Sequence, residues 1–180
     1  MRATRPPLVL APALIATLLL LLPGVGPAGA QVARQDQPAG VAPPPDNVFP
    51  IPVPYEVSFS DDWHNCRGDG CSRQHKGNDI LADAGSPAVA VESGTIIKVD
   101  NTDDGLGGLT LWLRGESGVA YYYAHNSENL VAEGQPVTRG QPIARVGATG
   151  NAAGGPSHIH FQINVCGETS SDEPCTVNPY

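Results

Sequence analysis

His158-Ile159-His160-Phe161-Gln162-Ile163-Asn164-Val165 alternates polar and apolar residues without a break. Period two belongs to a β-strand, whose successive side chains point to opposite faces. His158, His160, Gln162 and Asn164 then share one face, and Ile159, Phe161, Ile163 and Val165 share the other. The apolar face is expected to enter a core. The polar face opens with two imidazoles about 7 Å apart, given the rise per residue of a strand.

The neighbouring sequence repeats this texture. Strands are expected at Ala88–Glu92, Gly94–Asp100, Leu109–Arg114, Val119–His125 and Pro142–Val146, where β-branched and aromatic runs alternate with Gly, Asn, Asp and Pro. Gly115 to Gly118 reads as the turn of a hairpin. Past the N-terminal leader no window sustains the i, i+3, i+4 apolar pattern of a helix. The expected fold class is therefore all-β, mainly antiparallel, with little helix.

Four of the five histidines fall in three short motifs. His158 and His160 form an H-x-H, His75 and Asp79 an H-x-x-x-D, and His125 ends the aromatic run YYYAH. Neutral imidazole is the commonest biological metal ligand. Gly77 and Asn78 between His75 and Asp79 argue for an extended or turned segment that brings both to one metal. Along Val119–His125, alternation groups His125 with Tyr123 and Tyr121, so Tyr123 is the tyrosine expected nearest the cleft. Two histidines and a carboxylate leave a fourth zinc position open, as hydrolytic sites do. Zinc lowers the pKa of bound water to about 7 and polarises a carbonyl. The remaining histidines would then serve as general acid or base.

Composition sets the compartment. Arg2 and Arg5 precede an apolar stretch from Leu8 to Leu22, and Ala28-Gly29-Ala30 supplies a small-residue cleavage site, so residues 1–30 read as a signal peptide. The protein is expected to be secreted or to reside in the cell envelope, without stable membrane insertion. Loss of two arginines with the leader takes the formal charge from −8 to −10. That surface repels nucleic acid. Residues 31–54 carry seven prolines and suit an extended tether, leaving residues 55–180 as the folded domain, expected to act as a monomer. The even cysteine count suits export, and the sequence-local pairs Cys66–Cys71 and Cys166–Cys175 are expected as disulfides.

The order and wording of the motifs resemble the lysostaphin/LytM-like family of zinc endopeptidases that cut peptidoglycan peptides. The resemblance rests on HKGNDILADAGSPAVAVESGTIIKV, YYYAHNS, GQPVTRGQPIARVGATGN and GPSHIHFQI, and covers most of residues 55–180. It implies that His75, Asp79 and His160 hold one zinc ion and that His125 and His158 form the catalytic pair beside it. It also implies an antiparallel β architecture with an open cleft. Gln162 stands where many relatives carry Glu, and Asn78 where a less polar residue is usual.

Other readings fit less well. A non-catalytic relative that binds the wall or activates its hydrolases would typically lack ligands, yet all five positions are filled. A biotinyl- or lipoyl-type carrier needs a lysine at a hairpin tip, and Lys76 and Lys98 lie in no such turn. A metallo-β-lactamase would need more chain and a different ligand pattern. No H-E-x-x-H is present. Arg67-Gly68-Asp69 spells an integrin-type tripeptide, but a tight loop accounts for its glycine. His64 reads as a structural or surface histidine.

Overall fold

The computed structural model describes residues 47–167, 169 and 174–180. The expected signal peptide and residues 31–46 of the expected tether lie outside them. In chain order the strands are β1 (Val57–Ser58), β2 (Cys66–Arg67), β3 (Arg73–Gln74), β4 (Asn78–Ala82), β5 (Pro87–Val89), β6 (Gly94–Asp100) and β7 (Leu109–Gly115). They continue as β8 (Ala120–Asn126), β9 (Glu128–Asn129), β10 (Pro136–Val137), β11 (Pro142–Arg145), β12 (His158–Asn164) and β13 (Thr176–Val177). Among the described residues, the helical content is two three-residue 3₁₀ turns, Asp69–Cys71 and Gly150–Ala152.

The large sheet runs β1-β4-β12-β8-β7-β6-β10, with β13 also paired to β12. All its pairings are antiparallel. β5, β11 and β9 make a second sheet, and β2 and β3 a separate hairpin. Thus β12, the alternating segment, lies inside the large sheet between β4 and β8. The β7–β8 hairpin turns where expected, with Gly118 N donating to Gly115 O.

The alternation of β12 divides two environments. Ile159, Phe161 and Ile163 enter one core with Leu111, Leu113, Tyr121 and Tyr123 of the large sheet and Ile143 and Ala144 of the second. Each such side chain contributes on the order of 1.5–3 kcal/mol when taken out of water. The opposite face carries His158, His160 and Gln162 and borders a cleft. Both disulfides pair as expected, Cys66 with Cys71 and Cys166 with Cys175.

The folded unit begins earlier than Tyr55. Ile51 is 3% exposed and joins the core. Val48 N donates to Val91 O, Val89 N donates to Pro50 O, and Asn47 Nδ2 donates to the Tyr121 hydroxyl. Proline content alone predicted a tether here, but the apolar residues between the prolines find partners in the sheet.

Candidate metal centre

The register of β4 against β12 sets His160 opposite Asp79. Directly opposed residues of an antiparallel pair present their side chains to the same face. His75 lies just before β4, and the chain reaches it across β12 because residue 77 has no side chain. A Cβ on Gly77 would collide with the Phe161 carbonyl. His75 is buried, while Asp79 and His160 are half-buried.

Three donor atoms converge there. His75 Nε2 lies 2.8 Å from His160 Nδ1, and Asp79 Oδ1 lies 3.1 Å from each of them. Tetrahedral zinc with bonds of about 2.0–2.1 Å has ligand edges of about 3.4 Å. The triangle is slightly tighter than that, and a small outward shift of three side chains would fit it to the ion. Two nitrogen donors and one carboxylate oxygen also suit zinc chemically. The site therefore fits the ion that its motifs imply.

Supporting residues account for the other ends of these groups. His75 Nδ1 lies 3.0 Å from Asp62 Oδ2 and 3.1 Å from Asp62 O. Both are acceptors. Arg67 Nη2, a donor, lies 3.0 Å from the same nitrogen but is itself bonded to Asp62 and Asp79. The two acceptors therefore favour the ring proton on Nδ1, which leaves the Nε2 lone pair facing the centre. Arg67 Nη2 donates to Asp62 Oδ2 at 2.6 Å and to Asp79 Oδ2 at 3.1 Å. Asp62 Oδ1 in turn accepts from Asn78 Nδ2 at 2.9 Å and Asp79 N at 3.3 Å. Gln162 hydrogen-bonds the His160 ring. Such outer partners fix tautomer and ring orientation.

Asp62, Arg67 and the role of Gln162 escaped sequence reasoning. Asp62 and Arg67 have no fixed spacing to the ligands. Arg67 was visible only as part of a tripeptide, and its guanidinium is now committed to two carboxylates. Gly68 and Gly70 of that loop have φ of +73° and +62°, the left-handed conformations that glycine takes readily. His64 stacks on Trp63, with ring centroids 4.5 Å apart, and lies outside the lining of the cleft.

His125 reaches the same cleft by an unexpected route. Tyr121 and Tyr123 face the core with Phe161, and Tyr123 donates its hydroxyl to Val89 O. Strict alternation would send His125 into the core with them. Instead, Leu109 pairs with Asn126 and Leu111 with Tyr123, so two steps of β7 oppose three of β8. This bulge contains His125 at φ +63° and turns its ring to the opposite face. Tyr122, not Tyr123, is the tyrosine that lines the cleft, 6.0 Å from His160 between ring centroids.

His125 and His158 sit 4.8 Å apart between ring centroids. His125 Nδ1 is 2.9 Å from Thr149 O and His158 Nδ1 is 3.0 Å from Pro156 O. A carbonyl only accepts, so each Nδ1 carries a proton, and in the neutral tautomer the lone pair then lies on Nε2. His158 Nε2 lies 3.8 Å from Asp79 Oδ1, just outside the triangle of donors.

The electrostatics follow the partners. Burial would raise the Asp79 pKa, but hydrogen bonds and charge from His160 and His75 outweigh it and hold the carboxyl far below the usual range. Burial lowers the pKa of His160 despite its bond to Asp79. Burial, then the neighbouring His158, brings His125 down to about 4. A cleft of about 560 Å³ runs over these groups, lined also by Arg67, Arg73, Lys76, Leu106 and Asn151.

Residues 73–172 match the model of Peptidase family M23. An L-Ala–D-Glu endopeptidase of Bacillus subtilis strain 168 is 31% identical over 124 residues, 64% of this chain and 37% of that protein. The murein hydrolase activator NlpD of Escherichia coli K12 is 33% identical over 95 residues, 53% of this chain and 24% of that protein. The chain thus spans well under half the length of either. The catalytic domain of the antimicrobial peptidase lysostaphin from Staphylococcus simulans superposes with a TM-score of 0.58 at 27% identity, covering 69% of this chain and 89% of that one. The antiparallel β fold expected from the sequence is the fold found.

Proposed function

The chain belongs to peptidase family M23, and on that footing we propose that it is an exported zinc endopeptidase hydrolysing peptide bonds of bacterial cell-wall peptidoglycan. The observation that carries this reading is the convergence of His75 Nε2, Asp79 Oδ1 and His160 Nδ1 within 3.1 Å of one another beside two further imidazoles. A chain that only bound wall peptides would have no need of both groups. Disulfides suit a protein working outside the reducing cytoplasm.

His75, Asp79 and His160 would hold one zinc ion, which when bound supplies a Lewis acid and an acidified water. Asp62, Arg67 and Gln162 keep those three side chains aimed. His125 and His158, protonated at Nδ1, offer Nε2 to the cleft. From there a ring can take a proton from the attacking water and return it to the leaving amine. As imidazolium, the same ring stabilises negative charge developing on the carbonyl oxygen. The bulge that turns His125 towards the cleft is therefore part of the site.

Digestion of purified peptidoglycan, with mass spectrometry of the products, tests the reading. New amine and carboxyl termini are expected, lost on chelation, restored by zinc and absent with His158→Ala. Zinc bound at one per chain with no bond cut in any wall type would overturn it. The role of a wall-binding or hydrolase-activating protein would then stand.

A further inference from the structure

The ligand His75 stands at the base of a hairpin set apart from the sheets that carry Asp79 and His160. β2 and β3 pair through Cys66 with Gln74 and Arg67 with Arg73, and form a two-stranded sheet of their own. The ladder runs on to the metal centre, where His64 N donates to His75 O and His75 N donates to Asn65 O, both at 2.9 Å. A two-stranded hairpin is marginal in water by itself. Residues 65–74 are all exposed or half-buried, so burial does little to order this one. Cys71, with φ +63°, takes a left-handed conformation that a residue with a side chain keeps only when its surroundings impose it. The Cys66–Cys71 disulfide is the covalent tie across that turn.

Arg67, next to Cys66 in β2, carries the order of the hairpin into the centre. Its Nη2 lies 2.6 Å from Asp62 Oδ2, 3.1 Å from Asp79 Oδ2 and 3.0 Å from His75 Nδ1. One nitrogen thus touches a ligand carboxylate, a ligand ring and the aspartate that orients that ring. Holding a long side chain there costs rotamer freedom, and a loose backbone beneath it would add to the cost. The second disulfide makes no such connection. Cys166 follows the far end of β12 from the two histidines that open that strand.

We propose that the Cys66–Cys71 disulfide positions the metal centre through Arg67, so that the chain gains its full zinc affinity only after these two thiols are oxidised. This rests on the zinc reading of the site and not on the cutting of any bond. Exchange with an external disulfide forms the tie. Two thiols become one disulfide, and the donor disulfide takes up their two protons and two electrons to leave as two thiols. Cys66 and Cys71 are both exposed, within reach of such a donor. In a reducing compartment the turn is untied and the centre holds zinc weakly, whereas an oxidising one completes it.

Competition titration against a chelator reads zinc affinity, with circular dichroism and peptidoglycan digestion on the same samples. Cys66→Ser with Cys71→Ser is expected to lower affinity about 10–100-fold, as loss of a supporting residue does, and Cys166→Ser with Cys175→Ser by no more than about twofold. Arg67→Gln should cost a factor similar to the first pair. Combined with that pair it should cost little more, because both changes break one path. Independent routes would instead give factors that multiply. As a second route, the Cys166→Ser, Cys175→Ser protein is reduced with a phosphine and reoxidised with glutathione disulfide. Its affinity should fall and return while its circular dichroism holds. Unchanged affinity without the Cys66–Cys71 bond, equal loss from the two cysteine pairs, or multiplying factors would overturn the proposal and leave the zinc reading standing. Collapse of the circular dichroism on reduction would also overturn it, since the bond would then hold the fold and not the centre. No zinc on the oxidised wild type would overturn both. The expected affinities with no bond cut by the wild type would sustain the disulfide's role and overturn the peptidase.

Discussion

His75 and His160 differ from His125 and His158 only in what surrounds the same imidazole. In the first pair, one ring nitrogen points at Asp79 and at the other histidine, and a second polar side chain bonds the ring, Asp62 at Nδ1 of His75 and Gln162 at His160. In the second pair, Nδ1 donates to a backbone carbonyl and both rings line the cleft. The first arrangement fixes a lone pair on a point shared with a carboxylate, as a metal requires. The second leaves a lone pair beside that point with nothing to hold, as proton transfer requires. Position within the sheet, not residue type, divides the histidines into two kinds.

The sharpest way to break this division is to remove one member of each set. Asp79→Ala or His160→Ala should weaken zinc binding by more than the roughly 10–100-fold typical of a supporting residue, and bring peptidoglycan hydrolysis to background. Competition titration against a chelator measures the first and product release the second. His158→Ala and His125→Ala should each lower activity by about 10²–10⁴-fold while zinc remains at one per chain. Loss of zinc from either variant would merge the two sets and sink the distinction.

A milder change sharpens the boundary of the metal set. Asp62→Asn keeps the shape but removes the charge that His75 Nδ1 and Arg67 share. Zinc affinity or activity is expected to fall by about 10–100-fold. Arg67→Lys should recover less than a conservative change normally would, since one guanidinium nitrogen reaches both Asp62 and Asp79. Wild-type zinc affinity in Asp62→Asn would mean that the triangle orients itself without an outer shell.

Legibility in the sequence follows the range of the interactions involved. The face assignment along His158–Val165 needs only the two-residue period of a strand, and every apolar member from Ile159 to Ile163 is in the core. The hairpin after Gly115 is equally local. The pairing of His160 with Asp79 depends on the register between β4 and β12, 81 residues apart in sequence. Only resemblance to a family pointed to it. Asp62 and Arg67 depend on where the disulfide hairpin folds back, which no spacing encodes. His125 marks the limit of periodicity: it reaches the cleft because a bulge interrupts the period from which its direction was read. Residues 47–52 mislead in the opposite sense, since proline spacing hides an isoleucine that the core takes up.

The smallest expected effect concerns pH and belongs to the metal-free protein. Burial, with His158 alongside, holds His125 neutral down to about pH 4, against an ordinary value of 6.5. Between those values the unfolded chain binds a proton that the folded chain refuses, so stability falls as pH falls from 6.5 towards 4 and levels off below. His160, also shifted down by burial, adds to the same slope. Asp79 acts in a different window. Its depressed pKa contributes stability that is complete above its ordinary value of 3.8 and lost only at more acid pH. Melting of the chelated protein across pH 4 to 6.5 should therefore report the histidines and not the carboxylate, with His125 alone contributing a decline of at most about 3 kcal/mol. His125→Gln, which cannot take up a proton, should remove part of that slope and leave the rest to His160. An undiminished slope in that variant would mean that His125 is not kept neutral by its surroundings, and the contrast between its environment and that of the metal set would lose its electrostatic half.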